Sequence, residues 1–176
     1  GGLHGVGLSC VNALSKYLKA EVHRGGSIHV MECDRGKPRG QPSVTGKTDR
    51  TGTSITFEAD PEIFETVDFS FDVLSKRIRE LAFLNEGIRI VIADQRAEDK
   101  VHEFQYPGGL VSFVKFLDEN RTPLHTEPIY LKQSREDVEV EIAIQYNDSY
   151  AENVFSFANN IDTVDGGTHL SGFRRG

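Results

Sequence analysis

The sequence predicts an α+β fold in two parts, and three observations support this prediction. Segments with a helical repeat of apolar residues are interspersed with segments in which every second residue is apolar. The run from Val138 to Tyr146 has one apolar and one charged face, as expected for an antiparallel strand that is covered on one side. The turn-forming stretch Tyr106-Pro107-Gly108-Gly109 interrupts the chain, and helices and strands are predicted on both sides of it.

The first part begins with a predicted helix, because Leu8, Val11 and Leu14 recur near the 3.6-residue period and Leu18 continues the series. Its predicted elements are, in order, this helix over residues 6–18, strands over 19–23 and 27–33 joined by a hairpin turn at Arg24-Gly25-Gly26, a surface excursion over 34–52, a strand over 53–58, a helix over 72–84 followed by Gly87, and strands over 88–93 and 101–104.

The second part repeats this mixture of helix and sheet. Its predicted elements are a short helix over residues 110–117, strands over 129–132, 138–146 and 153–158, and a helix from Thr168 onward that Gly166-Gly167 introduces. Both parts therefore read as layers of helix and sheet.

Composition and charge narrow the function classes. Hydrophobic residues make up 38% and charged residues 27% of the 176, which is typical of a globular protein. A formal net charge of −7 argues against nucleic-acid binding over the whole surface, because phosphate contacts need clustered Lys and Arg. Cys10 and Cys33 lack metal-site spacing and are predicted to be free thiols. No apolar run is as long as a membrane span.

The strongest chemical signal is the stretch Gly1-Gly2-Leu3-His4-Gly5-Val6-Gly7, in which four of seven residues are glycine and a helix follows at once. Glycines let successive backbone N–H groups converge, and a helix N-terminus adds partial positive charge. Together these features predict a polyphosphate site. The spacing matches neither the Walker motif nor the dinucleotide fingerprint, so a plain glycine turn before a helix is the alternative.

Two other stretches have weaker signals. Thr51-Gly52-Thr53 enters a strand, and by itself it is more typical of a strand-initiating turn than of a binding site. Gly166-Gly167-Thr168-His169 by itself indicates a turn and a helix start. A metal role for His169 lacks support, because no second ligand lies at a suitable spacing.

Taken together, these residues resemble the ATPase region of the type IIA DNA topoisomerase B subunits, the family of the DNA gyrase and topoisomerase IV B subunits. The glycine stretch with Val11-Asn12-Ala13-Leu14-Ser15 resembles the family's ATP lid. Further matches keep the family's order: Val44-Thr45-Gly46, Thr51-Gly52-Thr53 with Phe57, Lys76 to Asn85, Gln145-Tyr146-Asn147-Asp148, Asn159-Asn160-Ile161 and Gly166 to His169. The resemblance covers essentially the whole chain.

The resemblance implies a fold and a division into domains. Residues 1–107 would form the later part of a GHKL (Bergerat) ATPase domain, an α/β sandwich. Residues 108–176 would begin a transducer domain similar to the second domain of ribosomal protein S5. This division agrees with the break read from the turn residues at Pro107-Gly108-Gly109.

The resemblance also implies roles for individual residues. The implied ATP-binding set is Gly1, Gly2, Leu3, His4, Gly5, Val6, Gly7, Leu8 and Thr53. Backbone N–H groups of the glycine stretch would wrap the triphosphate, and the Thr53 hydroxyl, with a water, would read adenine. Arg24 would lie at the pocket rim that aminocoumarin inhibitors touch, although a solvated hairpin arginine is equally compatible. Val44 and Ile55 would lie near the pocket wall, chiefly as packing residues.

The implied function is ATP binding and hydrolysis that close a dimer gate and drive strand passage, giving negative supercoiling of DNA. The implied cofactors are ATP and Mg²⁺. The implied partners are double-stranded DNA, the gyrase A subunit in an A2B2 heterotetramer, and a second copy of the B subunit on ATP binding, in the bacterial cytoplasm and with no membrane. The family's catalytic glutamate and magnesium ligand are expected upstream of Gly1. The chain alone is therefore expected to contain neither a catalytic residue nor a metal ligand, and to be inactive.

Three alternatives stay open at this stage. A topoisomerase IV B subunit, which decatenates DNA, shares these motifs. Another GHKL ATPase, a chaperone or a histidine kinase, also has a glycine-rich lid. A non-enzymatic module that binds a different anion is the third, and nucleotide binding would separate it from the ATPases.

Overall fold

A computed structural model describes residues 5–96 and 100–176 of the chain. The chain divides into two compact units, of which the first ends at Asp68 and the second begins at Phe69. Both contain helices and antiparallel strands, which confirms the predicted α+β class.

The first unit is a helix followed by a five-stranded antiparallel sheet with the strand order β3-β2-β1-β5, in which β4 also pairs with β2. Its elements are α1 (Val6–Ala13), β1 (Ser15–Arg24), β2 (Ser27–Asp34), β3 (Lys37–Pro38), β4 (Ser43–Lys47) and β5 (Gly52–Ala59). The surface excursion predicted over 34–52 is wrong in part, because it contains β3 and β4, both paired with β2.

The predicted turn between β1 and β2 is confirmed. Gly25 and Gly26 have φ of 60° and 81°, and Arg24 pairs with Ser27 across the turn. A two-residue hairpin loop with both φ values positive matches the right-handed twist of its strands, and glycine adopts it without strain. The register of the whole sheet therefore starts from a turn that is visible in the sequence.

The helix predicted over 6–18 is too long, since α1 ends at Ala13 and β1 begins at Ser15. Leu18, which seemed to continue the helical stripe, is a strand residue only 5% exposed. β1 pairs along its length with both β2 and β5. This pairing outweighs a helical spacing that extends into the strand by a single apolar residue.

The second unit is built from helices and two-stranded hairpins. Its elements are α2 (Phe71–Leu84), β6 (Arg89–Ala93), β7 (Val101–Gln105), α3 (Gly109–Leu117), β8 (Ile129–Arg135), β9 (Val138–Ile144), β10 (Phe157–Ala158), β11 (Ile161–Asp162) and α4 (Thr168–Arg175). The predicted helices over 72–84 and 110–117, the helix from Thr168, and the strands over 88–93 and 101–104 are confirmed to within a residue or two.

Two strand predictions in this unit are partly wrong. The strand over 153–158 is reduced to Phe157–Ala158. In β9 the apolar alternation is present, but Val138 and Val140 are 63% and 47% exposed, so this half of the expected buried face is not covered in the described structure. The hairpin with β8 supplies only two strands, which is too few to bury a sheet face by themselves.

An aromatic cluster forms the core of the second unit. Phe83 of α2 is 2% exposed and stacks on Tyr106 at 3.6 Å between ring centroids. It also lies 5.0 Å from the ring of Phe113 and 5.4 Å from that of Phe116, both in α3. The boundary predicted at residues 107 and 108 thus lies inside this unit, and the division into 1–107 and 108–176 stays a prediction.

Candidate functional site

The glycine-rich stretch is described only in part. Gly1, Gly2, Leu3 and His4 lie outside the described residues. The remaining members of the predicted phosphate-binding set form the start of α1, with Gly5 as its N-cap and Val6, Gly7 and Leu8 in its first turn.

Gly5 has a backbone conformation that favours glycine. Its φ is 82° and its ψ −13°, in the left-handed region, and a Cβ atom built there would meet none of the described atoms within 4 Å. Its carbonyl accepts hydrogen bonds from the backbone N–H of Ser9 (3.2 Å) and from the Ser9 hydroxyl (3.1 Å). Glycine is therefore favoured here by φ and not by crowding from the described residues.

The first turn of α1 is suited to an anion. None of the described side chains makes a capping hydrogen bond at its N-terminus, and the N–H groups of a first turn have no partner within a helix. Val6 and Leu8 are 43% and 49% exposed, and a Cβ atom added to Gly7 would meet no described atom within 4 Å. These N–H groups, together with the positive end of the helix dipole, provide the donors and partial charge that a phosphate group needs.

The opposite end of α1 is fixed by hydrogen bonds. The Ser15 hydroxyl donates to the carbonyl of Val11 (2.5 Å), and the Asn12 amide donates to the carbonyl of Gly36 (3.4 Å). The N–H of Asp60 donates to the carbonyl of Leu14 (3.1 Å). The helix buries none of its eight residues, all of which are described. These hydrogen bonds therefore fix its C-terminal end, residues 11–15, which we call the base of α1.

Asp60 lies at the centre of the contacts around this end of the helix. It is 1% exposed, and its carboxylate accepts hydrogen bonds from Nε (2.6 Å) and Nη2 (3.4 Å) of Arg35 and from the N–H of Glu62 (3.0 Å). The Arg35 guanidinium, helped by the Glu62 N–H, lowers the pKa of the Asp60 carboxyl below its usual value, although burial acts in the opposite direction. Asp60 is therefore a buried carboxylate.

The sheet brings the other predicted site residues onto one face. In the antiparallel register Thr53 of β5 lies opposite Val22 of β1, and His29 of β2 lies opposite both Val22 and Val44 of β4. Residues directly opposite each other, and residues two apart along a strand, share a face. The face therefore includes Arg24, Val44, Thr53 and Ile55. Arg24, Val44 and Thr53 are exposed.

This face is apolar along most of its length. Leu18 and Cys33 are buried on it, whereas Ile55 and Phe57 are 36% and 43% exposed. The face can accept a flat apolar group, and it carries a hydroxyl and a guanidinium at the end where Thr53 and Arg24 lie.

The described residues provide no metal centre and no membrane span. Groups of three or more His, Cys, Asp or Glu that could hold a metal ion do not occur among residues 5–96 and 100–176. In the same part of the chain, every helix is too short or too polar to span a bilayer. Cys10 is exposed, Cys33 is buried, and both are free thiols, as predicted.

Sequence reasoning missed Arg35 and Asp60 and did not link two motifs that it noticed. Within the second unit the Asn160 amide donates to the side-chain oxygen of Asn85 (2.9 Å), and Arg77 donates to the carbonyl of Asn160 (3.3 Å). The Lys76 to Asn85 and Asn159 to Ile161 motifs are thus in contact. His169 lies at the start of α4 with Nε2 3.2 Å from the Thr163 hydroxyl.

Comparisons with known proteins relate the chain to DNA gyrase B. The family model for DNA gyrase B matches residues 109–176. The chain is 54% identical over its whole length to the DNA gyrase B subunit of Halalkalibacterium halodurans. It is 53% identical over 99% of its length to the DNA gyrase B subunit of Staphylococcus aureus. The chain spans 28% of the length of these relatives.

Two solved structures resemble the fold. One is the 43K ATPase domain of Thermus thermophilus gyrase B in complex with an aminocoumarin, with a TM-score of 0.87 and 37% identity over 98% of this chain and 47% of that chain. The other is the B subunit of the DNA gyrase of Myxococcus xanthus, with a TM-score of 0.87 and 27% identity over 96% of this chain and 50% of that chain.

Proposed function

The chain belongs to the DNA gyrase B family, and we propose on this basis that it supplies the polyphosphate-binding part of an ATP site. The observation that carries the proposal is the N-cap Gly5. Its left-handed φ leads the chain into a helix start at which none of the described side chains makes a capping hydrogen bond, and a Cβ added to Gly5 would meet no described atom within 4 Å. Backbone N–H groups from Gly1 to Leu8 would hold the triphosphate.

The adenine end of the site would lie on the apolar face of the first sheet. Thr53 and Arg24 share that face, so a hydroxyl and a guanidinium lie at one end of an apolar surface that suits a planar base. We assign adenine recognition, with the help of a water, to the Thr53 hydroxyl. Arg24 would form the pocket rim, where it would also contact an aminocoumarin of the kind bound to the Thermus thermophilus structure.

The chemistry of hydrolysis would come from outside the described residues. The phosphate-facing stretch offers backbone donors, which bind and orient but do not remove a proton from water. Mg²⁺, when bound, would neutralise phosphate charge, and its ligands are assigned to parts of the longer family members that this chain does not span. The 176-residue chain alone is therefore expected to lack ATPase activity.

We further infer the activity of the full-length protein to which this chain belongs. ATP binding would close two copies of the full-length protein into a gate, and hydrolysis would drive strand passage that introduces negative supercoils into double-stranded DNA. Residues 1–107 would belong to the ATPase domain and residues 108–176 to the transducer. The gyrase A subunit, in an A2B2 assembly in the bacterial cytoplasm, would supply the remaining partner. The names of the relatives favour gyrase over topoisomerase IV.

The test uses the full-length gene product mixed with the gyrase A subunit from the same organism. Relaxed plasmid should become negatively supercoiled on addition of ATP and Mg²⁺, and aminocoumarin should stop the reaction. Decatenation without negative supercoiling would assign the protein to topoisomerase IV. A full-length product that neither binds nor hydrolyses ATP would overturn the proposal.

A further inference from the structure

The orientation of α1 depends on its base, because the helix buries none of its eight residues. Its described links to the sheet lie at the C-terminal end, where Asn12 and Ser15 make hydrogen bonds and Leu14 accepts from Asp60. At the other end, a Cβ atom added to Gly5 or Gly7 would meet none of the described atoms within 4 Å. Looser packing at the base would therefore change the direction in which the first-turn N–H groups point.

An ion pair between Asp60 and Arg35 links the two segments that contact this end of α1. Asp60 follows β5 and Arg35 lies between β2 and β3, so the pair joins segments 25 residues apart. The backbone of Asp60 holds Leu14, and the backbone N–H of Arg35 donates to the carbonyl of Lys16 (3.3 Å). Gly36, beside Arg35, lies against Ala13, where an added Cβ would stand 3.4 Å from the Ala13 Cα. The backbones of Asp60 and Arg35 thus both make hydrogen bonds to the segment that connects α1 to β1.

The backbone of Arg35 is strained, and the ion pair offsets the free energy of this strain. Its φ is 46°, in the left-handed region that residues other than glycine rarely adopt. The guanidinium donates to both oxygens of the Asp60 carboxylate and also reaches Glu62. A charge-assisted fork of this kind fixes direction as well as distance. The strained turn is thereby held in the conformation in which Gly36 lies against Ala13 of α1.

We propose that Arg35 and Asp60 are positioning residues, whose ion pair holds the base of α1 so that its first turn presents N–H groups to the ATP phosphates. This inference rests on the proposed ATP site. Neither residue would contact nucleotide. Loss of the pair would leave the donors in place but less ordered, and binding would then have to order them. The inference predicts weaker apparent affinity for ATP without a change in the chemical step.

The test measures steady-state ATP hydrolysis by the full-length gene product and its Asp60→Asn variant. The expected result is a rise in KM for ATP of about tenfold, on the order of one lost charge-assisted hydrogen bond, with kcat within about twofold. A KM within about twofold of wild type in a folded variant would overturn the inference. So would a fall in kcat at unchanged KM.

The chain offers a matched control. Arg39 and Asp34 form a second fork in the same β2–β3 segment, with Nε and Nη2 of Arg39 2.6 and 2.8 Å from the Asp34 oxygens. Both of these side chains are half exposed, and the described side-chain hydrogen bonds of Asp34 go to Arg39 and not to α1. Asp34→Asn should leave KM within about twofold of wild type. A rise equal to that in Asp60→Asn would mean that any lost charge pair in the sheet has this effect, and the inference would fall.

Two further measurements cover the other outcomes. If Asp60→Asn does not fold, Arg35→Lys keeps the charge and loses the fork, and it should raise KM about threefold. Hydrogen exchange of residues 9–13 without nucleotide should be about tenfold faster in Asp60→Asn than in Asp34→Asn. Faster exchange in a protein that fails to bind ATP would refute the proposed function but retain the role of the pair in holding α1. Unchanged exchange would refute that role.

Discussion

Gly5 and Gly7 provide the sharpest test of how the glycine-rich stretch is built. The two lie two residues apart, and among the residues that the structure describes, a Cβ built on either one would meet no atom within 4 Å. They differ in backbone conformation, because Gly5 has a φ of 82° whereas Gly7 lies within the first turn of α1. Replacing each with alanine therefore compares backbone strain with helix propensity at equal steric cost.

The two substitutions should act in opposite directions. A left-handed φ costs a residue other than glycine about 1–2 kcal/mol. Alanine also lowers the conformational entropy of the unfolded chain, which offsets about 0.4–1 kcal/mol of that cost. Gly5→Ala should therefore destabilise the start of α1 by about 1 kcal/mol. Alanine is better than glycine inside a helix by about 0.8–1 kcal/mol, so Gly7→Ala should stabilise α1 by up to that amount.

Native-state hydrogen exchange of the chain without nucleotide reads both effects. The amide of Ser9 is the first to report, because it donates to the carbonyl of Gly5 (3.2 Å). In Gly5→Ala the amides of residues 9–13 should exchange about fivefold faster, and in Gly7→Ala up to about fivefold more slowly. Changes of the same sign in both variants, or slower exchange in Gly5→Ala, would refute the left-handed cap.

Three more predictions follow from the site, the core and the ion pairs. Arg24→Leu in the full-length gene product should weaken inhibition of ATP hydrolysis by an aminocoumarin about tenfold, because the rim loses its charged donor, and an unchanged inhibition curve would remove Arg24 from the site. Phe83→Ala should lower the free energy of unfolding by about 3–5 kcal/mol in urea titrations, because Phe83 is 2% exposed. Phe116 is 37% exposed, and Phe116→Ala should lower this free energy clearly less. Equal losses in the two variants would contradict the packing. Hydrogen bonds from Arg96 lower the pKa of Asp94 from 3.8 to about 2. The contribution of the Asp94 carboxylate to stability should therefore be present above about pH 4 and lost as the pH falls toward 2. The difference in the free energy of unfolding between wild type and Asp94→Asn should shrink over that range, and a constant difference would contradict the pairing.

Local signals explain what could be predicted from the sequence. The turn at Gly25-Gly26 and the strands beside it follow from a two-residue loop that needs positive φ, and such a loop is visible in the residues themselves. The helix over 71–84 has a cap at Ser70, whose hydroxyl accepts from the N–H of Val73, and a sustained apolar stripe. The glycine content before α1 likewise indicated a helix start that favours glycine at its cap.

What failed depends on partners distant in sequence. Leu18 fits a helical stripe, and only the pairing of β1 with strands on both sides shows that it belongs to a sheet. Asp60 has an ordinary sequence context, and its importance comes from Arg35, 25 residues earlier and in an unusual φ. The common face of Arg24 and Thr53 follows from a register that no local pattern specifies.

The central claim is that the start of α1 and the Thr53 strand bind ATP, and one measurement tests it most directly. Hydrogen exchange of the full-length gene product is compared with and without a non-hydrolysable ATP analogue and Mg²⁺. We predict slower exchange in residues 5–9 and around Thr53 when the analogue is bound, with little change in the β8–β9 hairpin. Hydrolysis of ATP by a protein whose residues 5–9 and Thr53 exchange equally fast with and without the analogue would contradict the account.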